Sequence, residues 1–136
     1  MELTAGKGVQ VTAVTKAFGG RPDIARALVG AGVAALGDSR IGNLERMRTD
    51  CVQSPTVLIR SPMPSQAQRV VRAADLSLNT EIETIELLSK FAVDLDVHHR
   101  IVLMVELGDL REGFMPEEVD EALKRVLDLP HLHFAG

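Results

Sequence analysis

The chain has 136 residues, 46% hydrophobic and 25% charged, enough for one domain with a sizeable core and unlike a disordered segment. Fifteen Lys and Arg face nineteen Asp and Glu, a net charge of -4, so the sequence lacks the basic footprint that a nucleic-acid partner demands. Apolar runs are only a few residues long, which excludes a bilayer-spanning helix, and no signal-peptide pattern opens the chain. The single cysteine, Cys51, cannot form an internal disulfide and reads as the free thiol of a cytoplasmic protein.

The elements alternate along the chain. Gln10 to Ala17 is a β-branched strand that ends at Gly19-Gly20. Pro22 opens a helix with Ile24, Ala27, Leu28 and Ala31 on one face, closed by Gly32. Val33 to Leu36 is a short second strand and Ile41 to Arg48 a polar helix. Thr56 to Ile59 is a third strand, followed by a helix from Ser65 to Ala73 and a fourth strand from Leu76 to Leu78. Thr80 to Asp94 is the clearest helix: Thr80 and Glu83 have capping-box spacing, and Ile82, Ile85, Leu88 and Ala92 form its stripe. Arg100 to Leu107 is a continuous apolar run, as a parallel strand covered on both faces requires. Pro116 to Leu127 is the fifth helix and Leu132 to Ala135 the sixth strand.

About six strands separated by five helices predict α/β architecture from parallel βα units in one domain over residues 1–136. A doubly wound sheet and a barrel both fit the spacing. Neither a G-x-G-x-x-G nor a G-K-S/T loop follows the first strand.

Sites on such folds gather at the carboxyl ends of the strands. Lys16, Asp38, Arg60, Asn79 and Glu106 stand there, with Arg111 just beyond. Lys16 is the sharpest candidate, because a lysine inside an apolar strand loses its charge on desolvation and so suits Schiff-base chemistry. His98-His99 precede the fifth strand and read as a solvated pair at the opposite end. His131 and His133 have ligand-like spacing without an accompanying acid or thiol, so no metal site is expected.

The segments VTAVTKAFGG, ALGDSRIGNL, LSLNTEIETIELLSK and VLMVELGDLREG resemble the alanine racemase N-terminal-domain superfamily, the fold-type III barrel of pyridoxal-phosphate enzymes. The similarity is strongest to its ornithine-racemase-like branch. It implies an incomplete TIM barrel that binds pyridoxal 5'-phosphate, and an amino-acid racemase that interconverts L- and D-forms. Lys16 matches the lysine that holds the cofactor as a Schiff base and serves as one racemisation base. Arg111 matches an arginine near the cofactor's phenolic oxygen. Met104 and Asn79 match cofactor-pocket positions. Glu106 and Asp38 are the acids available to a basic substrate such as ornithine.

The resemblance also implies a small amino-acid substrate and a homodimer. It leaves two alternatives: a pyridoxal-phosphate carrier or homeostasis protein without turnover, and a lyase or aldolase of the same fold. Phe18 stands where relatives often carry a tyrosine, and the family's stacking histidine and phosphate loops fall past Gly136. The chain is therefore expected to be an internal piece of a longer protein. The reading further expects one open parallel sheet in sequence order, with Lys16 close to Glu106 and Arg111.

Overall fold

The structure, a computed structural model, describes residues 6–136. Among them, six strands form one sheet in the order β1-β2-β3-β4-β5-β6, every neighbouring pair parallel. The strands are β1 (Thr12–Val14), β2 (Ala35–Asp38), β3 (Thr56–Leu58), β4 (Leu76–Asn79), β5 (His99–Leu103) and β6 (Leu132–Phe134). The helices are α1 (Pro22–Gly30), α2 (Ile41–Thr49), α3 (Ala67–Ala73), α4 (Ile82–Asp94) and α5 (Val119–Leu127). The order never reverses, so this is the arc of a barrel and not a doubly wound sheet. Consecutive helices pack against one another, which places them together on one face of the sheet.

Strand alternation divides the two faces. Leu36, Leu58, Ile101 and Leu103 point to the helical side and join one core with Leu44, Met47, Val70, Ile85, Leu88 and Ala92. Val14, Val57, Leu78, Val102 and Met104 alternate with them and stay partly or largely accessible. The stripe expected on α4 is the one observed, with Ile85, Leu88 and Ala92 fully buried. On α1 the buried face is rotated by one position: Ala25 is enclosed and Leu28 and Val29 pack on the core, whereas Ala27 and Ala31 are exposed.

Two local expectations are corrected. Thr80 does not cap α4, whose first residue is Ile82; its hydroxyl and N–H instead bond the Ser61 hydroxyl at 2.9 and 3.2 Å. His98-His99 is not a solvated pair. His99 is 1% exposed, with Nδ1 3.1 Å from the Ala74 carbonyl and Nε2 2.8 Å from Ser77 Oγ. A carbonyl can only accept, so Nδ1 carries the proton and Nε2 accepts from Ser77. His98 stacks on His131 at 4.9 Å between ring centroids and lies 5.0 Å from His133. Among the described residues, no group of three or more His, Cys, Asp or Glu is arranged to hold a metal ion.

Among the described residues there are four ion pairs, of which two tie successive helices: Glu45 of α2 to Arg69 of α3, and Glu86 of α4 to Arg125 of α5. Exposed pairs of this kind contribute at most about 1 kcal/mol each.

Burial pushes the His99 imidazole down to about 4 from 6.5. Its folded pKa lies below its unfolded one, so its stabilising effect is complete above pH 6.5 and is lost as pH falls toward 4. A shift of that size corresponds to about 3 kcal/mol. Denaturant unfolding between pH 7 and pH 4 is expected to show that additional loss in the native protein and not in His99→Asn; parallel pH profiles would refute the assignment.

Candidate active site

The carboxyl end of β1 is a junction. The backbone leaves the strand at Thr15, turns once through the 3-10 segment Lys16–Phe18, and reverses over Gly19 and Gly20, both at positive φ. Thr15 is fully buried and Lys16 is exposed. Lys16 therefore does not lie inside β1 as expected; the turn lifts it out of the apolar layer. It belongs to none of the four ion pairs, and its amine is accessible.

Beneath this turn lies Asp38, the last residue of β2 and 0% exposed. Its carboxylate accepts from Thr15 Oγ1 at 2.6 Å, from the Arg40 N–H at 2.9 Å, and from Asn43 Nδ2 at 3.1 Å on each oxygen. Asp38 thus faces the helical layer, and its acceptor positions are occupied by the chain itself. It is not placed to receive a substrate amine.

Asn79 is also turned inward. It is fully buried, and its amide donates to the Ser77 carbonyl at 2.8 Å and to Ser77 Oγ at 3.1 Å. Asn79, Ser77 and His99 form one internal polar string. Met104 follows β5 on the alternate, half-buried side, the side of Val14 and Val102.

Glu106 holds the loop after β5. Its carboxylate accepts the backbone N–H groups of Gly108, Leu110 (3.0 Å) and Arg111 (3.1 Å). The bonds from Leu110 and Gly108 hold its carboxyl below the usual carboxylate range. The loop closes where Phe114 donates to the Met104 carbonyl at 2.7 Å and Glu106 donates to the Phe114 carbonyl at 2.9 Å. Gly113 is obligatory in that closure: at φ +153°, a Cβ there would lie 2.4 Å from the Glu106 nitrogen. The expected Lys16–Glu106 ion pair does not form, and Arg111 contributes its backbone N–H to Glu106 while its side chain is exposed.

A cavity of about 450 Å3 opens at the ends of β2, β3 and β4. Ser39, Arg60, Ser61, Gln66, Thr80, Glu81 and Glu112 supply its polar lining. Arg60, Glu81 and Glu112 take part in none of the four ion pairs. Sequence reasoning identified Arg60 and passed over Glu81, while Glu112 reads in the sequence as an ordinary loop residue. It also overlooked Thr15 and Asn43; the only signal was a polar residue directly before the candidate lysine.

The Lys16 amine suits an aldehyde-bearing cofactor, since it is accessible and has no ion-pair partner among the described residues. The adjacent glycine pair does not suit a phosphate, because the Gly19 and Gly20 N–H groups already bond the carbonyls of Lys16 and Thr15 at 3.2 Å. A parallel sheet whose order follows the sequence, with an exposed lysine just past its first strand and polar residues at the strand ends, defines a partial βα barrel.

The family model for the alanine racemase N-terminal domain matches residues 1–136. The chain belongs to that family. It is 35% identical over 130 residues to the ornithine racemase of Acetoanaerobium sticklandii, covering 95% of this chain and 36% of that protein. It is 30% identical over 123 residues to the lysine racemase of Thermotoga maritima, covering 90% and 35%. An alanine racemase structure from Clostridium difficile superposes with a TM-score of 0.85 at 17% identity, covering 94% of this chain and 35% of that one. The chain thus spans about a third of the length of the curated relatives it matches.

Glu106→Gln keeps the shape but gives one oxygen position to a donor that faces backbone N–H groups. Amide hydrogen exchange over residues 107–113 is expected to rise at least about tenfold in this variant, with α4 unchanged. Unchanged protection of the loop would show that the carboxylate does not hold it.

Proposed function

We propose that the protein containing this chain is a pyridoxal-phosphate-dependent racemase acting as a homodimer on a basic amino acid. The observation that carries this reading is Lys16, exposed just past the carboxyl end of the first strand of a racemase-family domain. Pyridoxal phosphate, when bound, supplies the electron sink that acidifies the Cα–H bond. Lys16 would supply the amine that holds the cofactor's aldehyde and a group that takes or returns a proton at one face of the substrate Cα. Arg111, on the loop fixed by Glu106, would supply a cation to the cofactor, and Met104 would supply an apolar contact.

The choice of a basic substrate rests on two supports. The relatives named above are racemases of ornithine and lysine. The cavity beside the site carries one arginine and two glutamates, none in an ion pair, so a single ammonium group balances its charge. Asp38 and Glu106 have their acceptors engaged within the chain, which leaves Glu81 and Glu112 as carboxylates for the side-chain amine.

In the full-length protein, Lys16→Ala is expected to abolish racemisation of ornithine and lysine. Glu112→Gln should lower kcat/KM for these substrates about tenfold while leaving norvaline within about twofold. A protein that retains cofactor through Lys16 yet racemises no amino acid would be a carrier, and the racemase reading would fall. Equal losses on ornithine and norvaline would remove Glu112 from substrate recognition and leave the racemase reading intact.

A further inference from the structure

We infer that Thr15, Asp38 and Asn43 form a positioning unit for Lys16, so that the direction of the reactive amine is set by β2 and α2 rather than by β1 alone. The inference rests on the reading of Lys16 as the cofactor lysine and adds to it the groups that place it.

Every bonding group of Thr15 is committed. Its N–H donates to the Gly37 carbonyl at 2.8 Å, and its hydroxyl lies 2.6 Å from Asp38 Oδ2, a much shorter approach than the 3.2 Å to the Gly37 carbonyl. Its carbonyl accepts from Phe18 and Gly20, each at 3.2 Å. The residue that precedes Lys16 is therefore held at its backbone and its side chain together. A hydroxyl has one proton to give, and the short contact to a carboxylate is the stronger of the two.

The far end of the turn is held by the same neighbour. Gly20 sits at φ +64°, and a Cβ there would lie 2.6 Å from the Cβ of Asn43. Asn43 is the residue whose amide bonds both oxygens of Asp38. One asparagine on α2 thus touches both the carboxylate under Thr15 and the glycine that closes the turn. Thr15, Asp38 and Asn43 are 0%, 0% and 7% exposed, so water does not compete for these bonds.

The exposed lysine and the buried clamp divide the labour. Four methylenes give the amine freedom to meet a cofactor, but its Cα is fixed by a network that spans two βα units. A long side chain reacts from a defined place only when its base is immobile, and misplacement by about 1 Å costs about a hundredfold in rate. None of the three groups touches the reacting atoms; they act through the turn.

The test uses the full-length protein and two readouts: the rate at which borohydride traps pyridoxal phosphate on Lys16, located by peptide mass, and the split between kcat and KM. Thr15→Val keeps the branched shape and removes the hydroxyl proton. It is expected to slow trapping about tenfold and lower kcat similarly, with KM within about twofold. Thr15→Ser should restore both to within about threefold. Val71→Ala, in α3 away from the turn, is the control for lost stability and should leave trapping unchanged. Should Thr15→Val fail to fold, Asn43→Ala reads the same quantities and is expected to slow trapping by at least about threefold.

Wild-type trapping in a Thr15→Val protein of lowered Tm, or a Thr15→Ser protein no better than Thr15→Val, would overturn the inference and leave Lys16 as the cofactor lysine. Undiminished trapping in Lys16→Ala would instead overturn the underlying reading.

Discussion

A carboxylate drawn against the backbone must be met by donors, and two such carboxylates, one fully buried and one partly so, organise the site end of this protein. Asp38 draws Thr15, Arg40 and Asn43 onto itself, and Glu106 draws in three successive parts of its own loop. Leaving either acceptor unmatched costs more than a neutral pair would. The strands set where the chain emerges, but these two anions set how it turns once it has emerged. The charges at the mouth that remain available, on Lys16, Arg60, Glu81, Arg111 and Glu112, are those that form no ion pair among the described residues.

That division explains which parts of the fold were legible from the residues. The alternation of elements, the sheet order and the α4 stripe followed from apolar periodicity, because Ile85, Leu88 and Ala92 leave no other face to bury. On α1 the pattern is carried largely by alanines, and a methyl group separates inside from outside weakly, so the buried face fell one residue away. The residues at Thr80 and Glu83 matched the spacing of a capping box, yet the Thr80 hydroxyl bonds the Ser61 hydroxyl at 2.9 Å and α4 begins only at Ile82.

The candidate site was legible in its residue types and less so in its directions. Lys16, Arg111 and Met104 lie on accessible parts of the site end, whereas Asp38 and Asn79 turn to the helical side. A strand's alternation decides this, and a shift of one residue inverts it. The expected first strand, Gln10 to Ala17, shrank to Thr12–Val14 because the chain had already begun its turn at Thr15. The lysine consequently gained water instead of losing it. Its suitability comes from being accessible and unopposed rather than from desolvation.

The string that runs from Asn79 through Ser77 to His99 has a direction. The Ala74 carbonyl at its end can only accept, so each proton upstream has a single place, and the Asn79 amide must present its nitrogen to the Ser77 carbonyl. An aspartate there would set an oxygen 2.8 Å from another oxygen. Slow deamidation, the chemical ageing that asparagines undergo in solution, would therefore register at this position as the loss of a buried hydrogen bond rather than as a silent change of surface charge.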